Sequence, residues 1–243
     1  MPSDIPDFDK AWDFENGFHL TCDIGRLGKI LAQWELFQMV THVPGAIIEC
    51  GVFKGASIAR FAAFRQLAGN LPTQTIIGFD TFGQFPETEY EADKPLRERF
   101  LREAGGQSIS KNDLMKVLEH KQCDQNVDLV EGDICQTVPL YLEQNPDLKI
   151  SLLNLDVDIY EPSVTVLEHF FPRYHHLDRL TSLLGQRQRH RFEINYGLAT
   201  EAPSHLGLAD ANFGRIHLQD RRHSVPKHVG ALSTAPQFDL AVV

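Results

Sequence analysis

The sequence predicts an α/β domain built on a doubly wound, mostly parallel sheet. Three observations carry that prediction. Short apolar runs alternate with stretches of helical periodicity across residues 25–173. A polar motif follows each apolar run, at the strand end where such sheets place their ligands. The chain has 243 residues, 42% of them hydrophobic, enough for one large core but not for two catalytic domains.

The elements follow in order. Residues 1–24 are acidic and read as an irregular N-terminal segment. From Arg26 to Thr41, Leu27, Ile30, Leu31, Trp34, Phe37 and Val40 recur at helical spacing, and Pro44-Gly45 ends that helix. Ala46–Cys50 reads as a buried strand running into Gly51, and Ala56–Leu67 as a helix. Thr75–Phe79 is a second strand, closed by Asp80. Residues 83–110 form a long, charged insertion with a short helix around Leu96–Arg102, and long insertions often carry function. Asp113–His120 is a helix, Val127–Val130 the third strand, Val138–Gln144 a short helix and Lys149–Leu155 the fourth strand. Ser163–Phe171 is a helix with Val164, Leu167 and Phe170 on one face.

Composition excludes several functions. A net charge of −10 argues against a general nucleic-acid binder, which needs a basic face. No apolar run approaches the ~18 residues that cross a bilayer. The start, Met-Pro-Ser-Asp-Ile-Pro-Asp, has no basic or apolar stretch of the secretory kind. Cys22, Cys50, Cys123 and Cys135 form no C-x-x-C pair, so neither a disulfide framework nor a zinc site is expected and the cytoplasm is the expected location.

The average charge hides a break. Residues 1–172 hold 14 Lys and Arg against 27 Asp and Glu, a net of −13, while residues 173–243 hold 9 against 6, a net of +3. The tail also carries 7 of the 11 His. Such a shift marks a separate segment or a sequence of different origin.

Four strand ends carry the chemistry. Glu49-Cys-Gly-Val-Phe-Lys-Gly-Ala-Ser57 joins a strand to a helix through Gly51 and Gly55. Glycines there let a backbone approach a ligand, and free N–H groups at the helix start suit an anion. A tight turn with a Ser57 helix contact is the plainer reading. Asp80, in Gly78-Phe-Asp-Thr-Phe82, is either a ribose acceptor or a loop cap. Asp133, in Glu131-Gly-Asp133-Ile134, either takes an adenine amino group or makes an ordinary turn. Asp156 and Asp158 stand two apart after the fourth strand, and extended geometry would put both on one side. Clustered acids need a cation, a shared proton or solvent, and one could serve as a general base. A solvated loop capping the helix before Pro162 is the alternative.

Together, Glu49–Ser57, Gly78–Phe82, Glu131–Asp133 and Leu155-Asp-Val-Asp-Ile-Tyr-Glu-Pro162 resemble the macrocin O-methyltransferase family over about residues 25–173. The resemblance implies a Rossmann-like class I methyltransferase core that uses S-adenosylmethionine and Mg²⁺. It implies O-methylation of a sugar hydroxyl on a glycosylated metabolite or nucleotide sugar, in natural product biosynthesis. By position it implies that Glu49, Gly51, Val52, Gly55 and Ser57 hold the methionine part of the cofactor. Asp80 and Thr81 would hold the ribose, and Gly132, Asp133 and Ile134 would frame the adenine. Asp156 would be a metal ligand and Asp158 the base. The expected partner is a small-molecule sugar or glycosylated acceptor, with no nucleic acid and no membrane; a homo-oligomer is allowed.

The family pattern stops after Phe171-Pro-Arg173. The family continues with a Gly-Gly turn, a strand and an Asp-Asp pair that completes the metal site. Residues 174–200 hold neither, and Asp178, Glu193 and Glu201 stand alone. The next apolar strand is Phe238–Val243. Either the tail diverged and the metal site changed, or the reading frame shifts near residue 173. His175, His176 and His190 match no standard metal spacing and read as solvated. Two rivals to the methyltransferase remain at this level: a cofactor-binding remnant without activity, and a nucleotide-sugar glycosyltransferase with a metal-binding Asp-x-Asp.

Overall fold

The computed structural model describes residues 5–69 and 74–173. A 3₁₀ turn at Phe8–Lys10 leads into α1 (Ala11–Thr21) and α2 (Ile24–Val40). Then come β1 (Ala46–Cys50), α3 (Ala56–Leu67) and β2 (Ile76–Asp80). The segment after β2 carries α4 (Lys94–Ala104) and α5 (Lys111–His120). The remainder is β3 (Val127–Glu131), α6 (Ile134–Gln144), β4 (Ile150–Leu155), α7 (Tyr160–Phe170) and a 3₁₀ turn at Phe171–Arg173. The tail histidines, Asp178, Glu193, Glu201, the strand expected at 238–243 and the frame question at residue 173 lie outside the described residues.

The four strands are parallel in the order β3-β2-β1-β4. The chain runs outward from β1 to β3 and then returns to the other side of β1. The strand order therefore reverses between β1 and β4, the place where α/β sheets open a crevice for ligands. Both β1 and β2 are buried along their whole length, which explains their apolar character up to Glu49 and Asp80. Ile48, Cys50, Ile77, Phe79, Leu153, Val138, Val166 and Phe170 pack into one core between the sheet and α6/α7. Each such side chain contributes about 1.5–3 kcal/mol of burial. Arg65 is also fully buried; its guanidinium donates to the Gln74 and Asn126 carbonyls at 2.8 Å each, tying α3 to the lead-ins of β2 and β3.

The expected helices are present with shifted starts. Asp133 caps α6 through a bond from the Cys135 N–H to its Oδ1, 2.9 Å, so the helix begins at Ile134, not Val138. Pro139 lies inside this helix and masked its first turn in the sequence. Pro95 and Pro162 occupy first turns, where the ring costs no hydrogen bond, so α4 and α7 also begin earlier than the apolar pattern indicates. The larger correction is at the N-terminus. Residues 11–21 are helical, not irregular, although α1 has no buried residue. Trp12, Phe14, Phe18 and Leu20 are exposed and form no single buried stripe, so the periodicity that announces a packed helix is missing.

Candidate functional site

The end of β1 delivers Glu49 into the interior. It is 1% exposed, on the strand register opposite Asn154 of β4. Ser57 hydrogen-bonds the Glu49 carboxyl and in turn accepts from Gln33 Nε2 at 2.7 Å and Asn154 Nδ2 at 3.1 Å. Arg60 donates to Gln33 Oε1 and completes the polar cluster. Burial pushes the Glu49 carboxyl up to about 8, the Asp156 charge adds to this, and Ser57, Lys29 and Arg60 oppose it. Glu49 therefore carries a proton at neutral pH. Glu49 Oε2 and Asn154 Oδ1 are buried without a hydrogen-bond partner. Such atoms are costly to leave unpaired, and a donor arriving at the strand end would satisfy them.

The glycines serve the chain first. Gly51 has φ +90°, and a Cβ there would lie 2.1 Å from the Asp156 carbonyl oxygen. The close approach it permits is between the ends of β1 and β4. Gly55 has φ +79°, and a Cβ there would meet Leu114 of α5 at 2.7 Å. Val52 is buried, and Gly132 packs against Thr137. The loop-cap reading of Asp80 also has support. Its Oδ2 accepts from the Phe53 N–H at 2.9 Å and its Oδ1 from the Phe82 N–H at 2.8 Å. Phe53 (φ +49°) and Phe82 (φ +47°) are thus held left-handed by one carboxylate. Thr81 donates to the Gln84 carbonyl at 3.0 Å. Strain of this kind collects at functional sites.

Asp158 is a third left-handed residue here, with φ +60°. The extended geometry expected for Asp156-Val-Asp158 does not persist, and the two acids have different partners. Asp156 forms an ion pair with Lys29 of α2, 2.7 Å. Asp158 opens onto the cleft; desolvation by the cleft walls pushes its carboxyl up to about 6, Asp156 adds to this, and Lys29 and Arg99 oppose it. Among the described residues, no group of three His, Cys, Asp or Glu side chains is placed to hold a metal ion. With Asp156 taken by an ammonium, these residues do not fit Mg²⁺ by themselves. The stretch where the family pattern places its Asp-Asp pair lies outside the described residues, and residues 174–200 hold no such pair.

One cleft gathers most of these groups, about 500 Å³ including its open mouth. Its floor is Gly51, Asp80, Thr81, Asp133, Ile134 and the stretch from Asp156 to Ile159. Glu49, Val52, Gly55, Ser57 and Gly132 lie behind or beside that floor and do not line it. Phe53, Phe85, Pro86 and Phe100 form an aromatic wall that the sequence motifs did not indicate. Phe100 sits 5.2 Å from Phe53 and 4.8 Å from Phe85 between ring centroids. Three of these four residues come from the 83–110 insertion, whose length was the available signal. Lys29 and Gln33 were also unmarked, because they reach the site from α2, before the first motif, and Arg60 because it lies one helical turn beyond that motif.

Residues 26–176 match the protein family described as Macrocin-O-methyltransferase (TylF). Among solved structures, CalS11, a calicheamicin methyltransferase, is similar at 32% identity, over 72% of this chain and 69% of its own, with a TM-score of 0.56. An apo structure of CalS11, described as a TDP-rhamnose 3'-O-methyltransferase of calicheamicin biosynthesis, shows 30% identity over 72% and 68%, with a TM-score of 0.47. The O-methyltransferase NovP shares the fold at 22% identity, over 62% and 61%, with a TM-score of 0.51. No curated protein matches the chain. No helix among the described residues is long and apolar enough to cross a membrane.

Proposed function

The chain belongs to the macrocin-O-methyltransferase family, and on that premise we propose that it methylates a sugar hydroxyl from S-adenosylmethionine bound in the cleft between β1 and β4. The acceptor class is a glycosylated metabolite or a nucleotide sugar. The observation that carries this reading is the convergence of Asp80, Asp133, Ile134 and Asp158 on one cleft at the point of strand reversal. The buried, unpartnered Glu49 oxygen suits the cofactor's ammonium. Asp80 keeps acceptor capacity for ribose hydroxyls beside the two backbone N–H groups it already holds. Asp133 accepts the α6 cap bond and is also hydrogen-bonded by the Cys135 thiol, and its carboxylate keeps acceptor capacity for an amino group. A match to an Asp-x-Asp glycosyltransferase has no such support.

When bound, S-adenosylmethionine supplies an electrophilic methyl group whose carbon–sulfur bond breaks as the sugar oxygen bonds to it. The protein's part is alignment, exclusion of water and removal of one proton. Asp158 is the base in this reading. Its raised pKa of about 6 leaves it ionised at neutral pH yet more basic than an ordinary aspartate. The aromatic wall keeps bulk water from the transfer.

Calorimetric titration with S-adenosylmethionine, followed by transfer of labelled methyl to sugar acceptors including TDP-rhamnose, tests the proposal. Saturable binding and labelled product are expected. Absence of binding overturns the cofactor assignment, and binding without transfer to any sugar identifies a cofactor-binding remnant.

A further inference from the structure

Tyr160-Glu161-Pro162 belongs to the motif after β4, yet neither Tyr160 nor Glu161 has a part in the chemistry above. Both meet the 83–110 insertion. The Glu161 Oε2 accepts from the Thr88 hydroxyl at 3.0 Å, and its Oε1 accepts from the Tyr90 N–H at 2.9 Å. In the opposite direction, the buried Asp93 Oδ2 accepts from the Tyr160 N–H at 2.5 Å. The Tyr90 and Tyr160 rings stack beside these bonds, 4.7 Å between centroids and 28° between planes.

The insertion is closed on itself at its other end. Gln84 and Gln107 form an antiparallel bridge, the Phe85 N–H donates to the Gly106 carbonyl at 2.8 Å, and the Ser108 N–H donates to the Gly83 carbonyl at 2.8 Å. Arg97 of α4 fastens the Pro86 carbonyl at 2.7 Å and the Glu87 carboxylate at 2.8 Å. The segment is therefore a cross-braced unit with a base near Gly83–Ser108 and a tip at Thr88–Asp93. It supplies Phe85, Pro86 and Phe100 to one wall of the cleft, and Asp156–Ile159 with Pro162 supply the facing one.

We propose that Glu161 and Asp93 are positioning residues that latch these two walls together, and that the latch governs how fast a ligand leaves the cleft. Burial raises the Asp93 carboxyl, the Tyr160 N–H opposes this, and the Glu161 charge raises it further, so the two carboxylates repel. Each stays because it receives an N–H from the opposite segment. The latch itself stands on contacts within the protein; only its effect on ligand release rests on the cofactor reading.

The test uses the full chain. Stopped-flow release of S-adenosylhomocysteine is compared in the parent, Glu161→Ala and Glu161→Gln, with amide hydrogen exchange over residues 85–104. Glutamine keeps an oxygen for Tyr90 and an amide dipole for Thr88. The expected result is about tenfold faster release and faster exchange in Glu161→Ala, largely restored in Glu161→Gln, with unchanged exchange in β1. Release and exchange equal to the parent's in a folded Glu161→Ala protein overturn the proposal. If that variant does not fold, Thr88→Val, which removes one latch bond, decides by the same two readouts with an expected change of about twofold to threefold. If the parent binds no S-adenosylhomocysteine, the cofactor reading fails by itself. The exchange rates then judge the latch alone, acceleration supporting it and parent-like rates overturning it.

Discussion

Glu49 and Asp158 are both carboxylates at strand ends of one sheet, yet the fold gives them opposite settings. Glu49 is shut in beneath Ser57 and Asn154 and is pushed to about 8; Asp158 faces the open cleft and is pushed only to about 6. The first holds its proton at neutral pH and the second has lost it. Depth of burial, more than residue type, separates a group suited to hold a ligand from a group suited to take a proton.

The largest expected effect tests the open member. Asp158→Asn should lower methyl transfer by about 10²–10⁴-fold while leaving S-adenosylmethionine affinity near the parent value, measured by initial rates and calorimetry. Full activity in that variant removes Asp158 as the base. Next is the junction that separates the two carboxylates. Gly51→Ala should cost roughly 2–3 kcal/mol in urea denaturation, because its Cβ would meet the Asp156 carbonyl oxygen at 2.1 Å.

The buried member should show itself in two ways. Glu49→Gln should weaken S-adenosylmethionine binding by about 1.5–3 kcal/mol, since an arriving ammonium favours loss of the Glu49 proton and Gln cannot form the resulting carboxylate–ammonium pair. It should also flatten the pH dependence of stability. The folded protein keeps a proton on Glu49 up to about 8, whereas the unfolded chain releases it near 4.5. Between those values the native state binds more protons, so stability falls as pH rises from 5 to 8. Melting temperatures across that range should decline in the parent and decline less in Glu49→Gln.

The smallest effect tests what links the two. Lys29 lowers the pKa of both Glu49 and Asp158 and pairs with the half-exposed Asp156. Lys29→Met should cost no more than about 1 kcal/mol of stability. Removing the cation should raise the Asp158 pKa, so the acid limb of the activity profile should move to higher pH.

The four strands and most helices were legible because burial writes itself into local pattern: β1 and β2 are buried throughout and apolar except for the acids Glu49 and Asp80 near their ends. The order Glu49, Asp80, Asp133, Asp156 was legible because parallel strands deliver successive loops to one sheet edge. α1 was not legible, because its apolar residues face solvent and leave no stripe. Nor were the partners of the acids, which depend on contacts such as Lys29–Asp156, 127 residues apart.

The sequence by itself determined the fold class, the strand-end acids and the family, since each rests on residues near one another in the chain. Only the tertiary structure decided that Gly51 serves the β1–β4 junction and that Asp156 is taken by a lysine. It also decided that Glu49 is buried and Asp158 open, and that Tyr160 and Glu161 hold the insertion. A pKa, a close approach and an ion pair are properties of a surrounding, and that surrounding is assembled by folding from segments the sequence keeps far apart.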